Sequence, residues 1–299
     1  MFYAACFMQI IGNQKIIKLL ERIVAKKSIA NAYLFLGPTG VGKLEAALFF
    51  AKKIVNNTEA IDSNLIMIAP ETEEKNGVIK KRDIKIEAIR ELQHQLSLTS
   101  TGGGYKAVVI DEAERLNVTA QNALLKTLEE PNAQVVLILV AQNERKLLPT
   151  IISRCQKIKL GLVSDSEIVN GLPQNMVNKD DIIFWSAGRG EVAQSFLRDP
   201  QELEYRREIK KDFLTLTAGS IGERFALAEK WSKDTSDLPK KMDIWTILLR
   251  QVMLDKIKIK QLSPAKALLV LEAMASSMKQ IKETNANTKL VLENLFLKI

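Results

Sequence analysis

Residues 32–54 read AYLFLGPTGVGKLEAALFFAKKI, and the order of patterns within them decides the fold. Ala32–Leu36 is a short apolar run that breaks at Gly37-Pro38, as a buried strand does. From Lys43 to Ile54 the apolar residues fall at helical spacing. Between strand and helix, Gly37-Pro38-Thr39-Gly40-Val41-Gly42-Lys43 carries the G-x-x-x-x-G-K spacing of a phosphate-binding loop. The glycines let backbone N–H groups turn inward around a polyphosphate, Lys43 supplies a point charge, and the following helix N-terminus adds its partial positive charge. A merely structural glycine turn fits the same letters. The strand before and the helix after it argue for the phosphate loop.

Position 44 departs from that pattern. The loop normally continues with Ser or Thr, whose hydroxyl ligates Mg²⁺; here it continues with Leu44, which offers no oxygen. The cradle of Gly37, Pro38, Thr39, Gly40, Val41, Gly42, Lys43 and Leu44 is therefore expected to bind ATP or ADP weakly and to place magnesium poorly.

Working outward, residues 14–27 are amphipathic and helical, Asn64–Ile68 is a second strand, and Glu71–Gly77 reads as a polar turn. A helix over Ile84–Leu98 is followed by a glycine loop at Thr101–Gly104 and an apolar strand at Ala107–Ile110. A helix over Thr119–Glu130, stopped by Pro131, precedes the strand QVVLILV (134–140), and Lys157–Leu160 is a last short strand. Strands alternating with helices imply a parallel sheet covered on both faces. Beyond residue 161 the strand signal vanishes. The chain therefore reads as an α/β domain over 1–160, a small helical domain over 161–205 and a helical bundle over 206–299. In the bundle, Leu268, Leu271, Met274, Met278 and Ile281 form an apolar stripe, and Trp185, Trp231 and Trp245 are core candidates.

The bulk numbers exclude several classes. Two cysteines, Cys6 and Cys155, and one histidine, His94, cannot build a disulfide framework or a metal site of Cys and His, so a reducing cytoplasm is the expected setting. No apolar run is long enough to span a membrane, and Met1–Ile11 lacks the basic start of a signal peptide. The formal net charge of +8 fits work beside nucleic acid and equally fits a solvated surface.

Two further features carry chemistry. Val108-Val109-Ile110-Asp111-Glu112 is an apolar strand ending in two acids. In a nucleotide hydrolase the first acid orients the magnesium shell and the second polarises the attacking water; the same pair is also able to cap the next helix. After the QVVLILV strand, Gln142 or Asn143 stands where a strand tip would sense a γ-phosphate. Arg154 lies well past the strand tips. It fits either a surface ion pair or a guanidinium facing a neighbouring subunit, where an arginine finger contributes about 10³–10⁵ in rate.

The stretch 107–156 resembles the core of bacterial DNA polymerase III clamp-loader subunits, of the AAA+ class. ALLKTLEEP (123–131) and the Ser153-Arg154-Cys155 triplet carry the resemblance, supported by IIGNQKIIKLL (10–20), NAYLFLGPTGVGK (31–43) and NTKLVLENLFL (287–297). The resemblance implies an AAA+ module, a helical lid and a C-terminal collar that builds a pentamer with gamma/tau and delta subunits. That pentamer places a sliding clamp on primer-template DNA. It further implies that Arg154 completes the ATP site of an adjacent subunit and that Asn143 lies in the sensor-1 region. Leu44, and Glu191 where the family's sensor-2 segment has an arginine, favour the delta-prime type with a weak or lost ATPase, in which Asp111 and Glu112 are relics of catalysis. An active gamma/tau-type ATPase is the first alternative, and a non-catalytic DNA-binding AAA+ adaptor the second. Relatives carry a four-cysteine zinc module after the first helix; residues 56–83 here hold no cysteine, so no zinc is expected.

Overall fold

Successive side chains of a strand point to opposite faces, and the first strand of this chain is buried on both. Tyr33 and Phe35 enter one core with Phe50, Ala107, Val109, Ile138 and Val140; Ala32, Leu34 and Leu36 enter the other with Val108, Ile110, Leu124, Leu137 and Leu139. This two-faced burial is why the strands read as uninterrupted apolar runs. The computed structural model describes residues 10–55, 64–75, 78–97, 105–130, 134–259, 261–284 and 286–299. The glycine loop read at Thr101–Gly104, the helix stop at Pro131 and Cys6 lie outside them.

The described chain divides into two compact units, one ending at Arg198 and the other beginning at Asp199. In the first, the elements run α1 (Gln14–Ala25), β1 (Ala32–Leu36), α2 (Lys43–Ile54), β2 (Leu65–Ile68), β3 (Thr72–Lys75), β4 (Val78–Lys81), α3 (Ile86–Ser97), β5 (Lys106–Ile110), α4 (Val118–Glu129), β6 (Val135–Ala141), α5 (Pro149–Ile152) and β7 (Gln156–Lys159). Three short helices follow, α6 (Asp165–Gly171), α7 (Lys179–Ser186) and α8 (Gly190–Arg198). The sheet order is β2-β5-β6-β1-β7, all parallel, so β1 sits between β6 and β7 with its carboxyl end beside theirs. Ligands of open parallel sheets bind at that end, and the glycine-rich loop lies there.

Within the polar segment read as a turn over Glu71–Gly77, Thr72–Lys75 is instead a strand, β3, paired antiparallel with β4; residues 76–77 lie outside the described residues. Backbone pairing joins the two strands, and the Arg82–Glu73 ion pair lies at their open end.

The second unit is helical: α9 (Pro200–Ala218), α10 (Ile221–Ser232), α11 (Leu238–Met253), α12 (Pro264–Glu283) and α13 (Thr288–Phe296). Trp231 and Trp245 stack at 4.5 Å between centroids, and Phe213 and Phe296 pack around them. Each indole N–H is satisfied, Trp231 by Asp212 and Trp245 by the Ile209 carbonyl. The inner stripe of α12 differs by one position from the sequence reading: Ala267, Val270 and Met274 are buried, whereas Leu268 is 48% exposed. The break read at 205/206 falls inside α9, which starts at Pro200 with Asp199 capping it through Gln201 N–H. Pro at the first helical position after an Asp cap is a start signal present in the sequence.

Candidate nucleotide cleft and arginine turn

The loop between β1 and α2 turns on glycines in the left-handed region, Gly40 at φ +79° and Gly42 at φ +90°. A side chain at Gly40 would also meet Val192 at 2.8 Å, so the helical segment beginning at Arg189 packs directly onto the loop. Thr39, Gly40, Lys43, Leu44, Asp111, Glu112, Glu114, Gln142 and Glu191 line one cleft with Lys81. The sequence-derived phosphate loop and the acidic strand end therefore meet in one place.

Lys43 is buried, at 7% exposure, and its ammonium donates to the Pro38 carbonyl at 2.8 Å. Burial lowers its pKa, opposed by the charges of Glu191, Glu114, Asp111 and Glu45. Burial raises the Asp111 carboxyl, which accepts a hydrogen bond from the Glu112 N–H at 2.9 Å. Glu112 itself sits in the left-handed region at φ +46°, a conformation that costs a non-glycine residue about 1–2 kcal/mol. Burial pushes its carboxyl up, yet hydrogen bonds from Lys81 and Arg115 outweigh this and hold it below the ordinary value. The acid expected to polarise a water is thus engaged by two cations. Glu114 Oε1 accepts the Gln142 N–H at 3.1 Å.

The acid in the first turn of α8 bonds to the loop. Glu191 Oε2 accepts the Gly42 N–H at 3.3 Å, and the Glu191 N–H donates to the Gly40 carbonyl at 3.0 Å. Glu45, in the first turn of α2, has its pKa raised by burial and then by the charge of Glu191, and one of its carboxylate oxygens is buried without a hydrogen-bond partner among the described residues. Of the two strand-tip candidates, Gln142 lines the cleft, while Asn143 caps the short turn 144–146 by accepting the Arg145 N–H at 3.0 Å.

The wall position next to Lys43, where a magnesium-ligating hydroxyl would stand, is the hydrocarbon of Leu44, while the carboxylates of Asp111, Glu112 and Glu114 line the same cleft.

Arg154 is not a member of this cleft. It follows α5, where Pro149 occupies the first turn. Its Nη2 pairs with Glu129 Oε1 at 2.8 Å, its Nη1 donates to the Thr150 carbonyl at 3.0 Å, and the side chain stays 37% exposed. The surface ion pair open from sequence is present, and it leaves the guanidinium at the surface. Cys155 beside it is half-buried, and burial pushes its thiol up to about 12, which disfavours the reactive thiolate. His94 is exposed on α3.

Sequence reasoning missed the residue that sets this turn in place. Gln121 of α4, 4% exposed, donates to the Leu116 carbonyl at 2.9 Å and the Lys146 carbonyl at 3.1 Å and accepts the Leu148 N–H at 2.8 Å. One amide therefore ties the end of the acidic loop to the residue that caps α5. It also missed Glu129, although that residue lies within the quoted ALLKTLEEP run, and Lys81, which nothing in the sequence flagged.

A five-stranded parallel sheet in this order, with a phosphate loop at the carboxyl end of β1 and a helical segment packed on that loop, defines a P-loop domain of the AAA+ class. A family model described as DNA polymerase III, delta subunit, matches residues 12–163. The chain belongs to this family, the clamp-loader subunits of bacterial DNA polymerase III. It is 34% identical over 237 residues to DNA polymerase III subunit tau of Bacillus subtilis (strain 168), covering 73% of this chain and 42% of that protein. It is 27% identical over 260 residues to subunit delta' of the same organism, covering 80% of this chain and 76% of that protein. A crystal structure of a DNA polymerase III gamma subunit-related protein from Thermotoga maritima shares the fold, with a TM-score of 0.53 at 19% identity over 94% of this chain and 97% of that one. No helix among the described residues is long and apolar enough to cross a membrane.

Proposed function

We propose that this chain is a delta-prime-like member of a cytoplasmic clamp-loader complex that helps place a sliding clamp on primer-template DNA, and that it serves its neighbours more than itself. In this reading its own cleft binds ATP or ADP weakly, seats no magnesium properly and needs no zinc. Arg154 acts on the triphosphate of an adjacent gamma/tau-type subunit. The observation that carries the reading is the contrast between an exposed guanidinium, held by one exposed carboxylate, and a cleft whose magnesium position is hydrocarbon. A planar guanidinium at a subunit boundary stabilises the charge that spreads over a transferring phosphoryl group, which an ammonium does less well.

The test is reconstitution with gamma/tau and delta subunits and measurement of ATP turnover. Arg154→Ala is expected to leave the fold intact and to cut turnover by about 10³. Turnover equal to wild type would remove the assignment.

A second reading, an ATPase of the gamma/tau type, is favoured by the higher identity to subunit tau and by the presence of Lys43, Asp111 and Glu112. It predicts magnesium-dependent hydrolysis by the purified chain alone, where the first reading predicts almost none.

A further inference from the structure

The loss of an arginine at position 191 explains why a phosphate would gain nothing there, but the geometry goes further. Glu191 does not merely fail to help: its carboxylate sits on the loop. The Gly42 N–H, one of the backbone donors a phosphate oxygen would need, is already donated to Glu191 Oε2 at 3.3 Å. The contact is reciprocal, because the Glu191 N–H closes on the Gly40 carbonyl at 3.0 Å. Gly42 is the N-cap of α2, and Glu191 lies in the first turn of α8. The carboxylate therefore stands at two helix N-termini at once, where negative charge is favoured.

The segment that carries it is firmly seated. A side chain at Gly190 would meet the Ile11 carbonyl oxygen at 1.9 Å, and one at Gly40 would meet Val192 at 2.8 Å. This packing holds Glu191 against the loop at the edge of the open cleft, so the exclusion rests on its charge and on its bond to the Gly42 N–H. The surroundings add to the exclusion: Glu45, Asp111 and Glu114 stand with Glu191 around Lys43, and Lys81, the other lysine lining the cleft, is paired with Glu112. An incoming polyphosphate would compete with a tethered carboxylate for the same donor and would meet like charge on the way.

We propose that Glu191 is the specificity-determining residue of this cleft, an anion supplied by the chain itself that fills the phosphate seat and keeps polyphosphate out. This deepens, and rests on, the reading of the cleft as a poor nucleotide site. It makes the poverty an active property of the helical segment and separates it from the magnesium defect at Leu44.

Titration of the isolated full chain with ADP in the presence of EDTA tests this, because removing metal takes Leu44 out of the comparison. Glu191→Gln, which keeps the shape and removes the charge, is expected to bind ADP at least about 10-fold more tightly than wild type, and Glu191→Ala likewise; each tenfold is a readable step in affinity. Val192→Ala, which loosens the packing beside Gly40 and keeps the carboxylate, is expected to bind as wild type. Unchanged ADP affinity in both Glu191 variants overturns the proposal, and so does an equal gain in Val192→Ala, which would make the seal steric. Circular dichroism checks folding. Should either variant be unfolded, amide exchange at Gly42 in wild type and in Glu191→Asp decides: faster exchange in the shortened acid supports the contact, equal exchange refutes it. None of these outcomes depends on Arg154 or on partner subunits, so the trans reading stands or falls separately.

Discussion

The phosphate loop and the arginine turn lie in the same α/β unit and are built in opposite ways. The second half of the loop, Gly40–Lys43, is buried, and the polar groups of the cleft are spent on one another: Lys43 on Pro38, Gly42 on Glu191, Glu112 on Lys81 and Arg115. The turn after α5 keeps Arg154 at the surface, tied by an ion pair between two exposed side chains, one 37% and the other 50% exposed. An exposed pair of this kind contributes roughly 0–1 kcal/mol and is easily exchanged for a better acceptor. The stiffness of the turn comes from beneath it, from the buried Gln121. The difference teaches where each site takes its order from: the Arg154 turn stands on a buried amide, and the polar groups of the cleft satisfy one another.

That comparison is open to breakage by mutation. Gln121→Leu strands the Leu116 and Lys146 carbonyls and the Leu148 N–H, at about 1–3 kcal/mol for each group left without a partner. It is expected to lower unfolding free energy by at least about 3 kcal/mol in a denaturant titration. A loss below 1 kcal/mol would show that the amide is not what fixes the turn. Glu45→Gln has a smaller effect, with a sign set by pH. Burial raises the Glu45 carboxyl, so the folded chain binds that proton more tightly than the unfolded one, and stability falls as pH rises from the ordinary carboxylate range through the raised folded value. The variant is therefore expected to melt at a higher temperature than wild type at pH 7 and to show no advantage at pH 4. An advantage that is independent of pH would contradict the buried-charge account. Leu44→Thr restores an oxygen at the magnesium position and is expected to sharpen magnesium-dependent ADP binding a few-fold at most while Glu191 keeps its place, as isothermal titration would show. The smallest effect belongs to Glu129→Ala, within about 1 kcal/mol on stability by thermal melt, because the pair it breaks is solvated.

Much of the fold was legible because its signals are contiguous. Four apolar strands, the glycine spacing and the acidic strand end each sit within a few residues, and the backbone geometry they demand is local. What stayed hidden is long-range. The β3–β4 hairpin pairs through its backbone, so its Glu- and Lys-rich letters looked like a turn. Gln121 satisfies three groups as far as 27 residues away, and no periodicity records that. The tight seat of Glu191 on Gly42 joins positions 149 residues apart; the sequence showed an acid in place of an arginine but not that it reaches the loop. Leu268 was placed inside α12 by a stripe of three- and four-residue steps that also fits the neighbouring positions Ala267 and Val270, and packing chose those. The unit boundary was missed although Asp199-Pro200 marks it, because the helical pattern on either side is continuous.

The most direct measurement places two variants of this subunit side by side in the reconstituted complex and records ATP turnover. The account predicts that Arg154→Ala collapses turnover by about 10³ while Lys43→Ala leaves it close to wild type. A complex that tolerates the loss of Arg154 and fails on the loss of Lys43 would contradict it.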